Sequence, residues 1–365
     1  MKKIIELDGI RGVAIALVLI WHYFATQLWV QDGTLLYYFR YMSALTWSGV
    51  DLFFVLSGFL IGGILLDQRG RSHYFSTFFI RRICRIFPLY FMVLLLFVIL
   101  SKIVPSGLRW LFNDPYPLWT YVTFTQNYLM GGGGFGSDWL GVTWSLAIEE
   151  QFYLVLPFLV FYIRGKWFIP ILVIMIIGSP VARYLVDGMG SYIYTFCRAD
   201  SLMSGVLLAW LVRRNGFLEF TQKYCHLVIT TFFILLLIIA YLTFLVTQTG
   251  DVINHFVFAI FYVVFILLAT IYQGAPQAGI LRNSFLCWLG SRSYGIYLLH
   301  QGISATVHAM NGNYPPRISN YGEAFITLSA LLITLVLAEL SFRYYESPLI
   351  KLGHKLRYGS RLIDR

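Results

Sequence analysis

Charged residues are scarce in this sequence. Only 12% of its 365 residues are Asp, Glu, Lys or Arg, about half the share that is usual in soluble domains. No polar stretch is long enough to form a separate soluble domain, and 58% of the residues are hydrophobic. This composition excludes an ordinary soluble protein and predicts a chain embedded in a lipid bilayer.

Cysteine is also rare, and its distribution carries no metal or disulfide signal. The four residues are Cys84, Cys197, Cys225 and Cys287. Their spacings are unlike those of zinc sites or disulfide frameworks. We expect small buried apolar residues and no metal site. The Lys and Arg residues behind the net charge of +10 form short clusters between apolar segments, so we expect no nucleic-acid partner.

Long apolar segments follow one another along the chain. They predict about ten transmembrane helices, near residues 9–28, 46–66, 84–104, 143–163, 168–186, 200–213, 225–247, 253–272, 285–306 and 322–342. The sixth is short for a full span, so it either begins earlier or is partly re-entrant. The predicted fold is an all-α, polytopic membrane helix bundle over residues 1–350, followed by a basic cytoplasmic tail over 351–365.

The positive charges predict the orientation of the bundle. If the N-terminus is cytoplasmic, 21 of the 27 Lys and Arg residues lie on the cytoplasmic side and six on the other. An excess of this kind is typical of cytoplasmic loops. We therefore expect both termini in the cytoplasm, and the pattern fits a multi-pass protein of a bacterial inner membrane.

Ionisable side chains inside predicted spans are functional candidates, because each costs about 2.5–3.5 kcal/mol on insertion scales. Asp51 is expected to form a salt bridge, His300 is more readily explained as structural than as catalytic, and Glu339 is expected to pair with Arg343 one turn later. The full set comprises Asp8, Arg11, His22, Asp51, Glu149, Glu150, Arg198, Asp200, His300 and Glu339.

Arg11 and His22 are 11 residues apart in the first span. At about 100° and 1.5 Å per residue, both side chains project from one helix face, about 16 Å apart. A single groove is therefore expected to contact both. In the alternative, Arg11 extends to the cytoplasmic edge beside Asp8, and His22 is hydrogen-bonded within the core.

Arg82 and Arg85 share one face at the expected start of the third span, on the cytoplasmic side. Paired guanidinium groups at this spacing suit a polyanionic phosphate group. The alternative is a positively charged anchor that contacts lipid headgroups.

Glu149 and Glu150 lie near the expected outer end of the fourth span. Adjacent residues point about 100° apart around a helix, so only one of the two can face a given site. Either carboxylate could orient His22 or neutralise Arg198. Ser145 lies one turn earlier, and a Ser/His/Glu nucleophile is conceivable, although no elbow motif surrounds the serine.

Two further features concern packing. Residues 105–141 form the longest outside connection, and its prolines, glycines and aromatic residues are typical of an interfacial segment that could cover a site. Gly58 and Gly62, four residues apart, predict the close approach of a neighbouring helix.

An ordered set of motifs, spread over nearly the whole chain, resembles the acyltransferase-3 family of polytopic membrane acyltransferases. Each motif is weak alone, but the set is specific. It comprises Leu7-Asp8-Gly9-Ile10-Arg11-Gly12, the Arg11/His22 pair, Gly49 to Phe59, Arg82-x-x-Arg85 with Phe87-Pro88, Trp144-Ser145-Leu146-x-x-Glu149 through Tyr153, Arg198-x-Asp200, Ser293 to Leu298, and Tyr345-Glu346-Ser347-Pro348.

This resemblance implies that His22 is the essential histidine, Arg11 its partner, Arg82 and Arg85 the arginines associated with the acyl donor, and Glu149 the glutamate of another motif. It also implies a cytoplasmic acyl-CoA donor, most often acetyl-CoA, and a hydroxyl acceptor on a glycan or small molecule. The fused hydrolase-like domain of some members is not expected here, so transfer would be completed within the bundle or by a separate protein.

The expected function is therefore O-acyl transfer. His22 either deprotonates the acceptor hydroxyl or is itself acylated, because an unperturbed imidazole titrates near pH ~6.5 and is a competent acyl carrier. The rival hypothesis is a non-enzymatic transporter or flippase with a path through Arg11, His22 and Glu149. A membrane scaffold or sensor is a third.

Overall fold

The computed structural model describes residues 4–29, 33–104, 106–163, 165–245 and 250–360, with the backbone alone for residues 245 and 250–252. Within this part of the chain the regular secondary structure is helical, which confirms the predicted all-α class. One parallel bridge joins Leu28 to Ile318. Some of the Lys and Arg residues counted for the orientation, and one proline of segment 105–141, lie outside the described residues, namely Lys2, Lys3, Arg164, Arg361, Arg365 and Pro105.

The described residues form sixteen α-helices, which are numbered here in chain order, and a π-helical turn, Trp21–Ala25, extends the first. They are α1 Ile5–Ile20, α2 Leu35–Met42, α3 Gly49–Gln68, α4 Tyr74–Ile103, α5 Leu118–Val122, α6 Gln126–Gly133, α7 Thr143–Tyr162, α8 Phe168–Leu185, α9 Gly190–Ile193, α10 Ala199–Leu211, α11 Phe217–Lys223, α12 Cys225–Leu245, α13 Gly250–Ile271, α14 Ser284–Met310, α15 Tyr321–Ser341 and α16 Ser347–Lys355.

Eight helical segments of the described chain are long and apolar enough to cross a membrane, as expected of a multi-pass membrane protein. They are Ile5–Ala25, Leu35–Gln68, Tyr74–Ile103, Thr143–Tyr162, Gly165–Leu185, Cys225–Phe244, Ile253–Ile271 and Tyr321–Lys355. The other two predicted spans are also helical. However, α10 has only 13 residues, and the 27-residue α14 is less apolar because Ser, Tyr, His and Gln residues interrupt it.

Helix α4 begins at Tyr74, ten residues before the predicted start of the third span at residue 84. The prediction placed the boundary at the arginine cluster. However, arginine is a good helix former, and charge alone does not end a helix. Arg82 and Arg85 therefore lie more than two turns inside α4, which corrects their expected position at a helix start.

Glycines allow the helices that carry the candidate residues to approach backbone to backbone. A Cβ atom on Gly58 of α3 would lie 1.9 Å from the carbonyl oxygen of Leu202 in α10. A Cβ atom on Gly290 of α14 would lie 1.9 Å from the carbonyl oxygen of Asp8 in α1. The predicted close approach at Gly58 is confirmed, and α1 is held against α14 in the same way.

Two ion pairs are buried between α3, α8, α10 and α13. Arg198 donates to Asp51 at 2.5 Å and also contacts Nδ1 of His255, while Arg183 donates to Asp200 at 2.6 Å. The predicted salt bridge of Asp51 is confirmed. Arg198 is thus neutralised by Asp51, and the alternative that a glutamate of α7 does so is wrong.

Glu339 of α15 has a different partner from the one expected. Its carboxylate accepts hydrogen bonds from Arg292 at 2.7 Å and from Nε1 of Trp288 at 2.9 Å, both on α14. Arg343 lies in a π-helical turn, Phe342–Glu346, and interacts with Glu339 electrostatically. The ion pair therefore joins two helices rather than two turns of one.

Candidate active site

A cavity of about 320 Å³ lies among α1, α3, α4, α7 and α14. This volume is at the lower end of the range for small-molecule sites, about 300–1,000 Å³. Apolar residues of α3 form much of its wall. The polar groups that line it are Arg11, Ser57, Arg82, Arg85, Ser145, Glu149, Tyr153, Ser293, Tyr294, Tyr297 and His354.

Three guanidinium groups meet at this cavity, from Arg11 on α1 and from Arg82 and Arg85 on α4. Arg11 donates to Asp8, one turn earlier, at 3.1 Å. Arg82 and Arg85 form no ion pair with a residue of the described chain. Because Glu149 is the carboxylate among the lining residues, the wall carries more positive than negative charge and suits a polyanion.

Glu149 lines the cavity and Glu150 does not, which confirms that only one of the two faces a given site. The Glu149 carboxylate interacts with the hydroxyl groups of Ser57 and Tyr153, which lie 2.7 Å apart, and is within electrostatic reach of Arg85. Oε1 of Glu150 is buried and has no hydrogen-bond partner in the described chain. Glu149 is therefore placed opposite the arginines.

Ser145 and Tyr297 form another part of the cavity wall. Their hydroxyl groups lie 2.6 Å apart, and Tyr297 also donates to the carbonyl oxygen of Val142 at 3.0 Å. The described hydrogen bonds of Ser145 involve neither an imidazole nor a carboxylate. The geometry therefore gives no support to a Ser/His/Glu nucleophile.

His22 lies in the π-helical turn that follows α1. The side-chain amide of Gln301 on α14 lies 2.9 Å from its Nδ1, so Gln301 occupies the place expected for a glutamate. His22 is absent from the described residues that line the cavity, whereas Arg11 is present. Among the described residues the cavity therefore does not reach His22, and the shared groove predicted from helical phase is not observed.

Tyr297 connects the cavity to His22. Its ring centre is 5.7 Å from that of His300, and the ring centre of His300 is 5.0 Å from that of His22. His300 is fully buried. His22 therefore lies beyond Tyr297 and His300 when viewed from the arginines.

The two ends of this region are covered by segments that are distant in sequence. A Cβ atom on Gly302 would lie 2.6 Å from Nε1 of Trp139, so Trp139 of segment 105–141 packs against α14 next to Gln301, the partner of His22. At the other end, Arg81 donates to the carbonyl oxygen of Leu356 at 2.6 Å. Helix α16 crosses the predicted boundary between the bundle, which ends at residue 350, and the tail, which starts at residue 351, and it contributes His354 to the cavity.

Several residues of the site had no role predicted for them from the sequence. Tyr153 lies one turn after Glu149, and Gln301 lies one turn after Tyr297, so helical periodicity could have identified both pairs. His354 gives no such signal because its position depends on how α16 folds back on α4. In the described chain, no group of three or more His, Cys, Asp or Glu side chains could hold a metal ion.

Comparison with known proteins identifies the relatives of this chain. Residues 4–340 match the Acyltransferase domain family. The chain is 30% identical to the peptidoglycan O-acetyltransferase OatA of Listeria monocytogenes, over 96% of this chain and 56% of that protein. It is 27% identical to the O-acetyltransferase OatA of Staphylococcus aureus (strain NCTC 8325), over 96% of this chain and 57% of that protein.

A candidate O-acetyltransferase of Staphylococcus aureus (strain COL) is 28% identical, over 97% of this chain and 58% of the relative. The chain thus spans a little over half the length of these curated relatives. No solved structure matches it. Because the family match extends over more than nine-tenths of the chain, the protein belongs to the acyltransferase-3 family.

Proposed function

We propose that this protein transfers an acyl group, with acetyl as the expected one, from a cytoplasmic acyl-CoA donor to a hydroxyl group of a glycan or other acceptor. The observation that carries the proposal is the cavity into which Arg11, Arg82 and Arg85 project. A cationic cavity inside an apolar helix bundle is costly unless it serves a ligand. The family relatives named as O-acetyltransferases support acyl transfer as the reaction for which this cavity binds its ligand.

Arg82 and Arg85 are proposed to bind the phosphate groups of the donor. Guanidinium groups form strong charge-assisted hydrogen bonds with phosphate oxygens, and neither arginine forms an ion pair within the described chain. At about 320 Å³, the cavity suits the narrow thioester arm better than the whole coenzyme. The nucleotide end is therefore expected at the mouth, beside His354.

His22 is proposed to carry out the transfer chemistry. As a general base it would take the proton of the acceptor hydroxyl while the hydroxyl oxygen attacks the acyl carbon and the carbon–sulfur bond breaks. As an acyl carrier it would attack the thioester first and pass the group on. Because Tyr297 and His300 lie between the arginines and His22, the thioester arm must pass Tyr297 in either case.

The wider setting is also proposed. Both termini would face the cytoplasm of a bacterium, with the bundle over 1–350 in the inner membrane and a basic tail over 351–365. His22 would then act toward the outer side, where glycans are modified. The peptidoglycan named for the Listeria relative makes a cell-wall glycan the first acceptor to test.

The test is acyl transfer by the purified protein in lipid nanodiscs, with radiolabelled acetyl-CoA and peptidoglycan fragments as acceptors. The wild type should label the acceptor, and His22→Ala should lose at least about 100-fold in rate, since general acid–base catalysis contributes about 10²–10⁴-fold. Coenzyme A binding, measured by calorimetry, should be unchanged in the variant. Retained transfer by His22→Ala would remove His22 from the mechanism, and failure of the wild type to bind coenzyme A would favour the transporter hypothesis.

A further inference from the structure

His300 occupies an unusual position for a histidine that only fills space. It lies in the middle of α14, it is fully buried, and its ring centre is 5.0 Å from that of His22, at an angle of 55° between the ring planes. Its own backbone carbonyl oxygen accepts a hydrogen bond from Tyr23 at 2.9 Å. Both the ring and the backbone are therefore held in place beside His22.

The protein fixes the tautomer of His300. Nδ1 lies 2.7 Å from the carbonyl oxygen of Tyr297, and a carbonyl oxygen can only accept a hydrogen bond. Nδ1 therefore carries the proton and donates it to Tyr297. In the neutral ring this leaves Nε2 with a lone pair, and in the described chain this buried atom has no hydrogen-bond partner.

His308, two turns later on the same helix, is a useful contrast. It is equally buried, but Nδ1 lies 3.0 Å from the side-chain amide of Asn313 and Nε2 lies 3.0 Å from the hydroxyl of Thr327. A buried polar atom without a partner is destabilising. Both ring nitrogens of His308 have partners, whereas Nε2 of His300 has none in the described chain. The free Nε2 of His300 thus points to a ligand that supplies the missing hydrogen.

The tautomer of His22 is set differently. Nε2 of Gln301 lies 2.9 Å from Nδ1 of His22, and a rotation of the glutamine amide by about 180° exchanges its NH₂ group and its oxygen. When the oxygen faces Nδ1, that nitrogen donates a hydrogen bond to it and Nε2 of His22 is left with a lone pair. Both rings then have Nδ1 engaged by the protein and Nε2 available for chemistry.

We propose that His300 is a catalytic base that accepts the proton of the acceptor hydroxyl group while His22 carries the acyl group. This inference rests on the acyl transfer proposed above and assigns its two steps to two imidazoles. An acylated His22 has its Nε2 bonded to the acyl carbon and its Nδ1 hydrogen-bonded to Gln301. It therefore has no lone pair for the acceptor proton, and a second base is required.

Each step breaks one bond to the acyl carbon and forms another. In the first, Nε2 of His22 attacks the thioester carbon, the carbon–sulfur bond breaks, and coenzyme A leaves as the thiolate. In the second, the acceptor oxygen attacks the acyl carbon, its proton moves to Nε2 of His300, and the carbon–nitrogen bond to His22 breaks. The proton on His300 then returns to the thiolate or to water, and both rings are restored.

The experiment separates the two steps by comparing His300→Asn with His22→Ala and the matched control His308→Asn. Asparagine can still donate to the Tyr297 carbonyl but has no counterpart of Nε2. The first step is measured as the exchange of labelled coenzyme A into acetyl-CoA in the absence of acceptor. The second step is measured as the label transferred to the acceptor. We expect His300→Asn to retain exchange within about threefold and to lose at least about 100-fold in transfer, to keep its donor KM, and to accumulate acyl label on His22.

His22→Ala should lose both reactions, and His308→Asn should retain both. The inference is overturned if His300→Asn transfers as fast as the wild type, if it loses exchange and transfer together, or if the wild type transfers without any exchange. Absence of transfer by the wild type to every acceptor would instead refute the proposed function, and this inference with it. If His300→Asn fails to fold, rates of the wild type in water and in deuterium oxide still test the assignment. Deuterium oxide should slow transfer but not exchange, and equal effects on both reactions overturn the assignment.

Discussion

Replacing Arg85 by glutamine should weaken donor binding far more than it slows the chemical step. The guanidinium lines the cavity and forms no ion pair within the described chain, so it is available for a phosphate group. A hydrogen bond that involves a charged group contributes about 1.5–3 kcal/mol, and about 1.4 kcal/mol corresponds to a factor of ten. The KM for the donor should therefore rise about 10- to 100-fold, with kcat nearly unchanged.

The same substitution should not destabilise the protein. Among the described residues, Arg11, Arg82 and Arg85 line one cavity with a single carboxylate, Glu149, so removal of one guanidinium relieves repulsion between like charges. The thermal unfolding midpoint in nanodiscs should be unchanged or higher. A rise in KM that came with a large loss of stability would point to misfolding instead of lost phosphate contacts.

Arg81→Gln is the matched control, because its guanidinium bonds to the carbonyl oxygen of Leu356 and lies over the ring of Tyr358 rather than in the cavity. Initial rates would be measured against acetyl-CoA concentration at fixed acceptor, at low and high salt. Arg82→Gln should resemble Arg85→Gln, and salt should raise the donor KM of the wild type more than that of either variant. Donor binding by Arg82 and Arg85 is refuted if the KM values of Arg82→Gln and Arg85→Gln both stay within about twofold of the wild type, or if Arg81→Gln raises KM equally.

Three further predictions concern the bundle and the cavity wall. Asp51→Asn should lower the unfolding free energy by about 3–5 kcal/mol, because it leaves the Arg198 charge buried without its partner; chemical denaturation should show a smaller loss when both side chains are replaced by apolar ones. Gly58→Ala should sharply reduce the yield of folded protein in size-exclusion chromatography, whereas Gly178→Ala, where a Cβ atom meets nothing within 4 Å, should not. Ser145→Ala should retain acyl transfer within about fivefold, since the hydrogen bonds of its hydroxyl group in the described chain involve Val142 and Tyr297 and no base; a complete loss with normal folding would restore the nucleophile hypothesis.

Helix positions followed from the sequence because bilayer crossing requires long apolar segments. All ten predicted spans are helices of the described chain, and most boundaries differ by only a few residues. The largest difference is at α4, where the arginine cluster marked a boundary in hydropathy but not in backbone structure. Arg82 and Arg85 were therefore identified correctly as a pair but assigned to a surface instead of a cavity.

The partners of the buried charges depended on contacts that no local pattern encodes. Asp51 and Arg198 are 147 positions apart, and His22 and Gln301 are 279 apart. Helical periodicity relates residues three or four positions apart, so it could propose Glu339 with Arg343 but not Glu339 with Arg292. It also could not foresee that His300 would lie beside His22.

By itself, the sequence determined that this protein is a helical membrane protein, that Arg11, His22, Arg82, Arg85 and Glu149 are its candidates for function, and that their order resembles one family. Those conclusions follow from composition and from motifs that are local in the chain. Only the tertiary structure decided that Arg11 and His22 do not share one cavity, that Gln301 is the partner of His22, and that the arginines and Glu149 meet. Side chains on different helices come together only when helices pack, and packing is set by close contacts such as those of Gly58 and Gly290.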